Sequence, residues 1–111
     1  MRKILSESAM DQKAARAIES FHASFVGEVE SAVKSHDWVV VGMAQNPVVR
    51  KARRWLDDKK IVYHYIERGS YFSKWHERLA IKLWSGWPTF PQIFHKGKLV
   101  GGCDELMSYQ P

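Results

Sequence analysis

The stretch from Trp38 to Met43 constrains the fold more than any other part of this sequence. Its centre, Val39–Val41, is the longest aliphatic run in the chain. β-Branched residues without polar alternation are typical of a strand that is covered on both faces. The run is far shorter than the roughly 18 apolar residues of a membrane-spanning helix. We therefore predict a central strand of a covered sheet, in a chain that does not enter the membrane.

Asn46 and Pro47 predict that a helix follows this strand. Asn is a strong N-cap residue, and Pro favours the first helical position. We expect this helix to end near Lys60 and a second strand to run from Ile61 to Ile66. Because a helix joins the two strands, they are predicted to pair in parallel through a right-handed crossover.

The other elements are predicted from apolar periodicity and from turn residues. In chain order they are a helix over residues 11–35 that Gly27 bends or divides, a helix capped by Ser70 that runs to Trp84 with Trp75, Leu79 and Leu83 on one side, strands over 92–95 and 98–100 around a Lys96-Gly97 turn, and a short helix over 103–109. This order predicts an α/β fold with a mixed four-stranded sheet and helices on both faces.

Two motifs in the last third of the chain carry a resemblance to a known family. Residues 85–94 are SGWPTFPQIF, and residues 101–104 are GGCD. The pair resembles the Trp-Pro-Thr-x-Pro-Gln and Gly-Gly-Cys-Asp signature of the monothiol glutaredoxins, which have the thioredoxin fold. The resemblance implies a glutaredoxin-like domain over residues 25–111, with an extra N-terminal helix in residues 1–24 and a shortened C-terminal helix.

The chain departs from this family at the position of the catalytic cysteine. Asn46 stands at the position of the family nucleophile, and Val49 stands at that of the resolving cysteine. Disulfide exchange requires attack by a thiolate, which an Asn amide cannot perform. We therefore expect no catalytic residue and no ordinary disulfide reductase activity. We also expect no iron–sulfur cluster, because that cysteine would be its protein ligand.

The resemblance also implies a glutathione-binding site, and most of its residues are present. The backbone of Phe90, before a cis Pro91, would pair with the cysteinyl part of glutathione, and Thr89 would add a hydroxyl. Cys103 and Asp104 would receive the γ-glutamyl end. Arg78 and Lys82 would hold the glycyl carboxylate. The alternative is that these residues only shape the core, the turn and the surface. For the sulfur of Cys103, the single cysteine of the chain, we favour a small buried residue over a reactive thiol.

The positive charge of the chain is concentrated between Arg50 and Lys60. This segment has six basic and two acidic residues, in a chain of net charge +5. A basic patch can bind phosphates, but no nucleic-acid-binding motif accompanies it, so we favour a solvated helix face. The five histidines lack metal-ligand spacing, so no metal site is expected. No secretory leader is visible, which predicts a cytoplasmic protein.

Three functional hypotheses remain. The first is a binding module for glutathione or for a glutathionylated protein partner. The second is a residual glutathione-dependent oxidoreductase that works through Cys103 or through bound glutathione. The third is a basic adaptor that binds nucleic acid or protein through residues 50–60.

The end of the chain adds an expectation about assembly. The short C-terminal helix is expected to leave one sheet face open. We expect the N-terminal helix, with Phe21 and Phe25, to cover that face, either in the same chain or in a homodimer.

Overall fold

A computed structural model describes residue 3 and residues 5–110. In chain order its elements are a 3₁₀ turn at Glu7–Ala9, then α1 (Gln12–Ser20), α2 (Ala23–Ser35), β1 (Trp38–Gly42), α3 (Pro47–Asp58), β2 (His64–Glu67), α4 (Trp75–Ser85), β3 (Gln92–His95), β4 (Lys98–Gly101) and α5 (Cys103–Met107). Residues 1, 2, 4 and 111, which fall in the two expected domains, lie outside this description. The division at residues 24 and 25 stays a prediction, and α2 begins just before it.

The strands form one sheet in the order β2-β1-β3-β4. Strand β1 pairs in parallel with β2, where Val40 lies opposite Tyr65. On its other side β1 pairs antiparallel with β3, and β3 pairs antiparallel with β4 across the Lys96-Gly97 turn. The predicted mixed four-stranded sheet and its parallel crossover are confirmed.

The central valines alternate between two hydrophobic cores. Val39 and Val41 pack with α2 and α4, in a cluster that includes Phe25 and Ile81. Val40 points to the opposite side and packs with α3 and α5. All three valines are fully buried. The prediction that β1 is covered on both faces is therefore confirmed, and no helix in the described part of the chain is long and apolar enough to cross a bilayer.

Three helix and strand boundaries differ from the sequence prediction. The N-terminal helix breaks at His22, which has the left-handed φ of 46°, and Gly27 lies inside an unbroken α2. Strand β2 begins only at His64, since Ile61 packs on the second core as part of a loop. Ser70 does not cap α4, because Ser70 and Ser73 close a separate turn and the helix starts at Trp75.

The N-terminal helix does not cover the sheet face of the short C-terminal helix. Phe25 packs on the face of Val39, whereas Leu106 of α5 packs with Val40 and Ile93 on the other face. Within one chain the expectation was wrong, because α2 and α4 cover one face of the sheet and α3 and α5 cover the other. Partly buried aromatic residues complete that second layer, among them Trp55 and Tyr63. The homodimer version of the expectation stays a prediction.

The apolar stripe of α4 faces outward. Trp75, Leu79 and Leu83 lie on one side of the helix as predicted, but all three are exposed. The buried side holds Ala80 and Ile81 instead. Helix α4 thus has two apolar stripes, and periodicity alone could not tell which of them faces the sheet.

A buried histidine, His95, lies at the end of β3 and packs against aromatic residues. The His95 ring stacks on Trp38 with centroids 4.0 Å apart, and its Nδ1 lies 3.0 Å from the Tyr109 hydroxyl. Burial lowers the pKa of His95, the positive charge of Lys96 lowers it further, and Asp37 opposes both effects. The folded protein therefore holds this ring neutral more strongly than the unfolded chain does.

This arrangement predicts a loss of stability in acid. Below about pH 6.5, the usual His pKa, the unfolded chain takes up a proton at His95 more readily than the folded chain does. The free energy of unfolding should therefore fall as the pH drops through this value. Urea titrations at several pH values measure it, and His95→Gln should reduce the slope between pH 7 and pH 5. An identical slope in the variant would contradict this role of His95.

Candidate functional site

A buried glutamine fixes the loop between α4 and β3. Gln92 is fully buried, and its Nε2 donates to the carbonyl of Trp87 over 3.0 Å. The Ser85 hydroxyl donates to Gln92 Oε1 over 2.7 Å and also accepts from the Trp87 N–H. Buried polar groups that are fully paired specify one geometry. The path of residues 86–91 is therefore set from inside the sheet.

This loop ends in the peptide bond between Phe90 and Pro91, which is cis, as expected. Both side chains are buried, Phe90 against the core that contains Val39. Since the side chains face inward, a ligand on this loop would meet mainly its backbone and the exposed Thr89.

The start of α3 is tightly capped. Asn46 Oδ1 accepts from the N–H groups of Val48 and Val49 at 2.9 and 3.0 Å, and the Asn46 carbonyl accepts from Arg50. Pro47 has no N–H, so every backbone donor of the first turn is accounted for. Helix starts otherwise offer such donors to anions. In this protein Asn46 occupies them.

At the end of β1, beside this cap, there is no room for a side chain on Gly42. A Cβ on Gly42 would lie 2.6 Å from Val49 Cγ1 and 2.9 Å from the Tyr65 hydroxyl. Gly42 therefore allows α3 to begin directly against the sheet.

The start of α5 lies opposite. The Gly102 N–H donates to Glu105 Oε1 over 3.1 Å, which closes a cap on the helix. Cys103 is buried, and its sulfur lies 3.9 Å from Met107 Sδ. Burial raises the pKa of the Cys103 thiol, and only Lys51 acts in the opposite direction. A thiol of this kind is a poor nucleophile at neutral pH.

These three segments enclose a cleft of about 240 Å³. Its lining comes from the start of α3, the loop before β3 and the start of α5: Val48, Lys51, Trp87, Thr89, Phe90, Pro91, Gly102, Cys103, Asp104 and Glu105. Five of the seven predicted site residues are in this lining. The cleft brings together residues that are more than fifty positions apart in the sequence.

The two basic residues predicted for the site lie elsewhere. Lys82 is not part of the cleft lining, and its Nζ lies 5.6 Å from the centre of the buried Phe90 ring. Arg78 is buried, and its guanidinium donates to the carbonyls of Arg68 and Ser73. The structure therefore does not bring Arg78 into the cleft, because the turn before α4 uses its donors.

Sequence reasoning missed the cation that does line the cleft. Lys51 was counted only as part of the basic segment, yet it stands three residues after Val48 and shares its side of α3. The side chains of two other basic residues in the segment contact aromatic rings of the same chain. Arg53 stacks on the Tyr65 ring at 3.7 Å and donates to Tyr63, and Lys59 lies 5.2 Å from the Trp55 ring centre. The segment is thus not one free basic surface.

Comparisons with known proteins agree on one family. The sequence profile described as Glutaredoxin matches residues 47–100. A "Glutaredoxin-like protein" of Dictyostelium discoideum is 41% identical over 106 residues, which cover 96% of this chain and 85% of that protein. "Glutaredoxin 1" of Rickettsia typhi is 36% identical over 75 residues, which cover 68% of this chain and 71% of that protein.

Structural comparison supports the fold. The structure described as a buckwheat glutaredoxin–glutathione complex superposes with a TM-score of 0.67 at 23% identity, covering 80% of this chain and 81% of that one. The solution structure of reduced glutaredoxin C1 from Populus tremula x tremuloides superposes with a TM-score of 0.68 at 20% identity, covering 82% of this chain and 78% of that one. The predicted thioredoxin-like fold is confirmed.

The Gln92 network yields a test of how the cleft is built. Gln92→Leu leaves the Trp87 carbonyl and the Ser85 hydroxyl without their partner, which should lower the free energy of unfolding by roughly 1–3 kcal/mol. Urea unfolding measures the change. The same substitution at the exposed Gln110 is the control and should have little effect. Equal stability of the two variants would show that the network does not hold the loop.

Proposed function

Since this chain belongs to the glutaredoxin family, we propose that it binds glutathione, free or attached to a partner protein, without exchanging disulfides. The observation that supports this most is the cleft itself. It gathers Thr89, Phe90, Pro91, Cys103 and Asp104, and Asn46 caps the helix that starts beside it.

The backbone of the cleft suits a short peptide. The cis peptide before Pro91 follows Phe90, whose side chain is buried, so the Phe90 main chain is the part of that residue left for a ligand. An extended glutathione would pair with it as an added strand does, through main-chain hydrogen bonds. Thr89 is exposed beside it and adds a hydroxyl.

The charges of the cleft also suit glutathione, which carries two carboxylates and one ammonium group. Asp104 is exposed at the start of α5 and would pair with the ammonium of the γ-glutamyl end. Lys51, which lines the cleft, would attract the glycyl carboxylate, with Lys82 near the Phe90 ring as a second positive charge. We assign this second role to Lys51 rather than Arg78, whose donors are used within the fold.

Thiol chemistry has no suitable group at this site. The Asn46 oxygen is bound by two backbone N–H groups, so the helix start that would stabilise a thiolate instead holds an amide. Cys103, the residue of the alternative oxidoreductase hypothesis, lines the cleft but is buried with a raised pKa. We therefore place binding ahead of catalysis.

An iron–sulfur cluster does not fit these residues. Cluster ligands are thiolates, and the amide oxygen of Asn46 is both neutral and already hydrogen-bonded. Cys103 is packed against Met107 under the cleft. Among the described residues, no group of three or more His, Cys, Asp or Glu side chains is placed to hold a metal ion.

Binding is tested by calorimetric titration with reduced glutathione. We expect saturable binding that Asp104→Asn weakens by roughly tenfold, since a charge-assisted hydrogen bond is lost. Asp58→Asn makes the same change at an exposed position of α3 outside the cleft lining and should leave the affinity unchanged. Absence of heat at millimolar ligand would refute the proposal.

Catalysis is tested with a mixed disulfide of glutathione and a small thiol. The unmodified protein and Asn46→Ser should show no turnover above the background reaction with glutathione. Asn46→Cys should gain turnover, because it places a thiol at a helix N-terminus beside the cleft. Turnover by the unmodified protein that Cys103→Ser abolishes would instead support the alternative oxidoreductase.

A further inference from the structure

A second and larger concavity lies away from the cleft. It has a volume of about 700 Å³ and lies between α1, α2 and α4. Most of its walls are apolar, and its lining includes Ile18, Phe21, Val26, Gly27, Leu79 and Leu83. Ile18 is 58% exposed and Leu83 63% exposed. Large exposed apolar surfaces of this kind mark contacts with another molecule.

Helix α1 forms one wall of this groove and is itself unpartnered. It buries none of its nine residues. Ala14, Ala17, Ile18 and Phe21 recur at steps of three and four, so they form one apolar side. Isolated helices of this length are marginal in water and depend on packing of that side. Because α1 is already a wall of the groove, it cannot also fill the groove of its own chain.

Charge indicates what fills it. The groove lining includes Glu19 and Glu30. Lys13, which is exposed, borders the apolar side of α1 next to Ala17. Glu30 also lies 3.6 Å from Lys34 of its own helix, but both groups are exposed and such pairs are weak. A helix that matches this groove is apolar with a basic residue at its edge, which is the pattern of α1.

We propose that two copies of this chain associate through α1, each inserting the apolar side of its α1 into the groove of the other. A two-fold axis makes the two contacts identical. Lys13 of one copy lies beside the acidic residues Glu19 and Glu30 of the second copy. The mode is that of an amphipathic helix in an apolar groove.

The mass in solution tests this. Analytical ultracentrifugation over a range of concentrations should give twice the monomer mass of 12.9 kDa. Ile18→Asp and Leu83→Asp should each raise the dissociation constant by roughly tenfold or more. Val62→Asp is the matched control, because Val62 is 90% exposed and lies outside the groove lining, and it should not change the mass.

Charge exchange separates self-association from other occupants. One variant, Lys13→Glu, makes both sides of the contact acidic, and a second, Glu19→Lys with Glu30→Lys, makes both sides basic. Each should be monomeric alone, and their equimolar mixture should form a heterodimer that added salt weakens. Circular dichroism checks that both variants are folded.

Three results would overturn the proposal. The first is an unmodified chain that stays monomeric up to several hundred micromolar, as when the groove receives a different protein or a small apolar molecule. The second is a mixture of the charge variants that does not associate. The third is a dimer that only Val62→Asp disrupts.

Discussion

The hydrogen bonds of Gln92 are the constraint on which the candidate site depends. An amide side chain inside the sheet is costly unless its donors and acceptor are paired, and this one is paired with Trp87 and Ser85. The loop from Gly86 to Pro91 therefore follows one path, and the Phe90 backbone is held at the cleft. The opposite wall is fixed in the same way, since Asn46 caps α3 and Gly42 lets that helix start against β1.

Sequence predicted the elements that depend on local chemistry. The buried valines of β1, the Asn46-Pro47 start of α3, the Lys96-Gly97 hairpin and the resulting sheet are all present. The sequence prediction was wrong where the chain could break a helix at either of two positions. Gly27 is a weaker helix former than His22, yet the helix breaks at His22, because Phe25 and Val29 after it are held on the core. Packing against distant strands decided this break, and it is not visible in a helical pattern.

The site could be predicted only in part for a related reason. Thr89, Phe90 and Pro91 are consecutive in the sequence, and all three line the cleft. The positions of Arg78 and Lys51 do not follow from the sequence, since the use of a basic side chain depends on which carbonyls or clefts the fold brings near it. Arg78 is used by the turn before α4, whereas Lys51 remains available in the cleft. The groove beside α1 escaped prediction because a helix with two apolar stripes does not reveal which one stays exposed.

The central claim is that the cleft binds glutathione with an amide, Asn46, at the start of the helix beside it. The most direct measurement is a titration of the ¹⁵N-labelled protein with reduced glutathione, followed by NMR. The account predicts saturating shifts confined to the cleft, at Lys51, Thr89, Phe90, Cys103 and Asp104, with Arg78 and the groove of α1 unaffected. Unchanged spectra at millimolar glutathione, or shifts centred outside the cleft, would contradict it and leave these residues with a purely structural role.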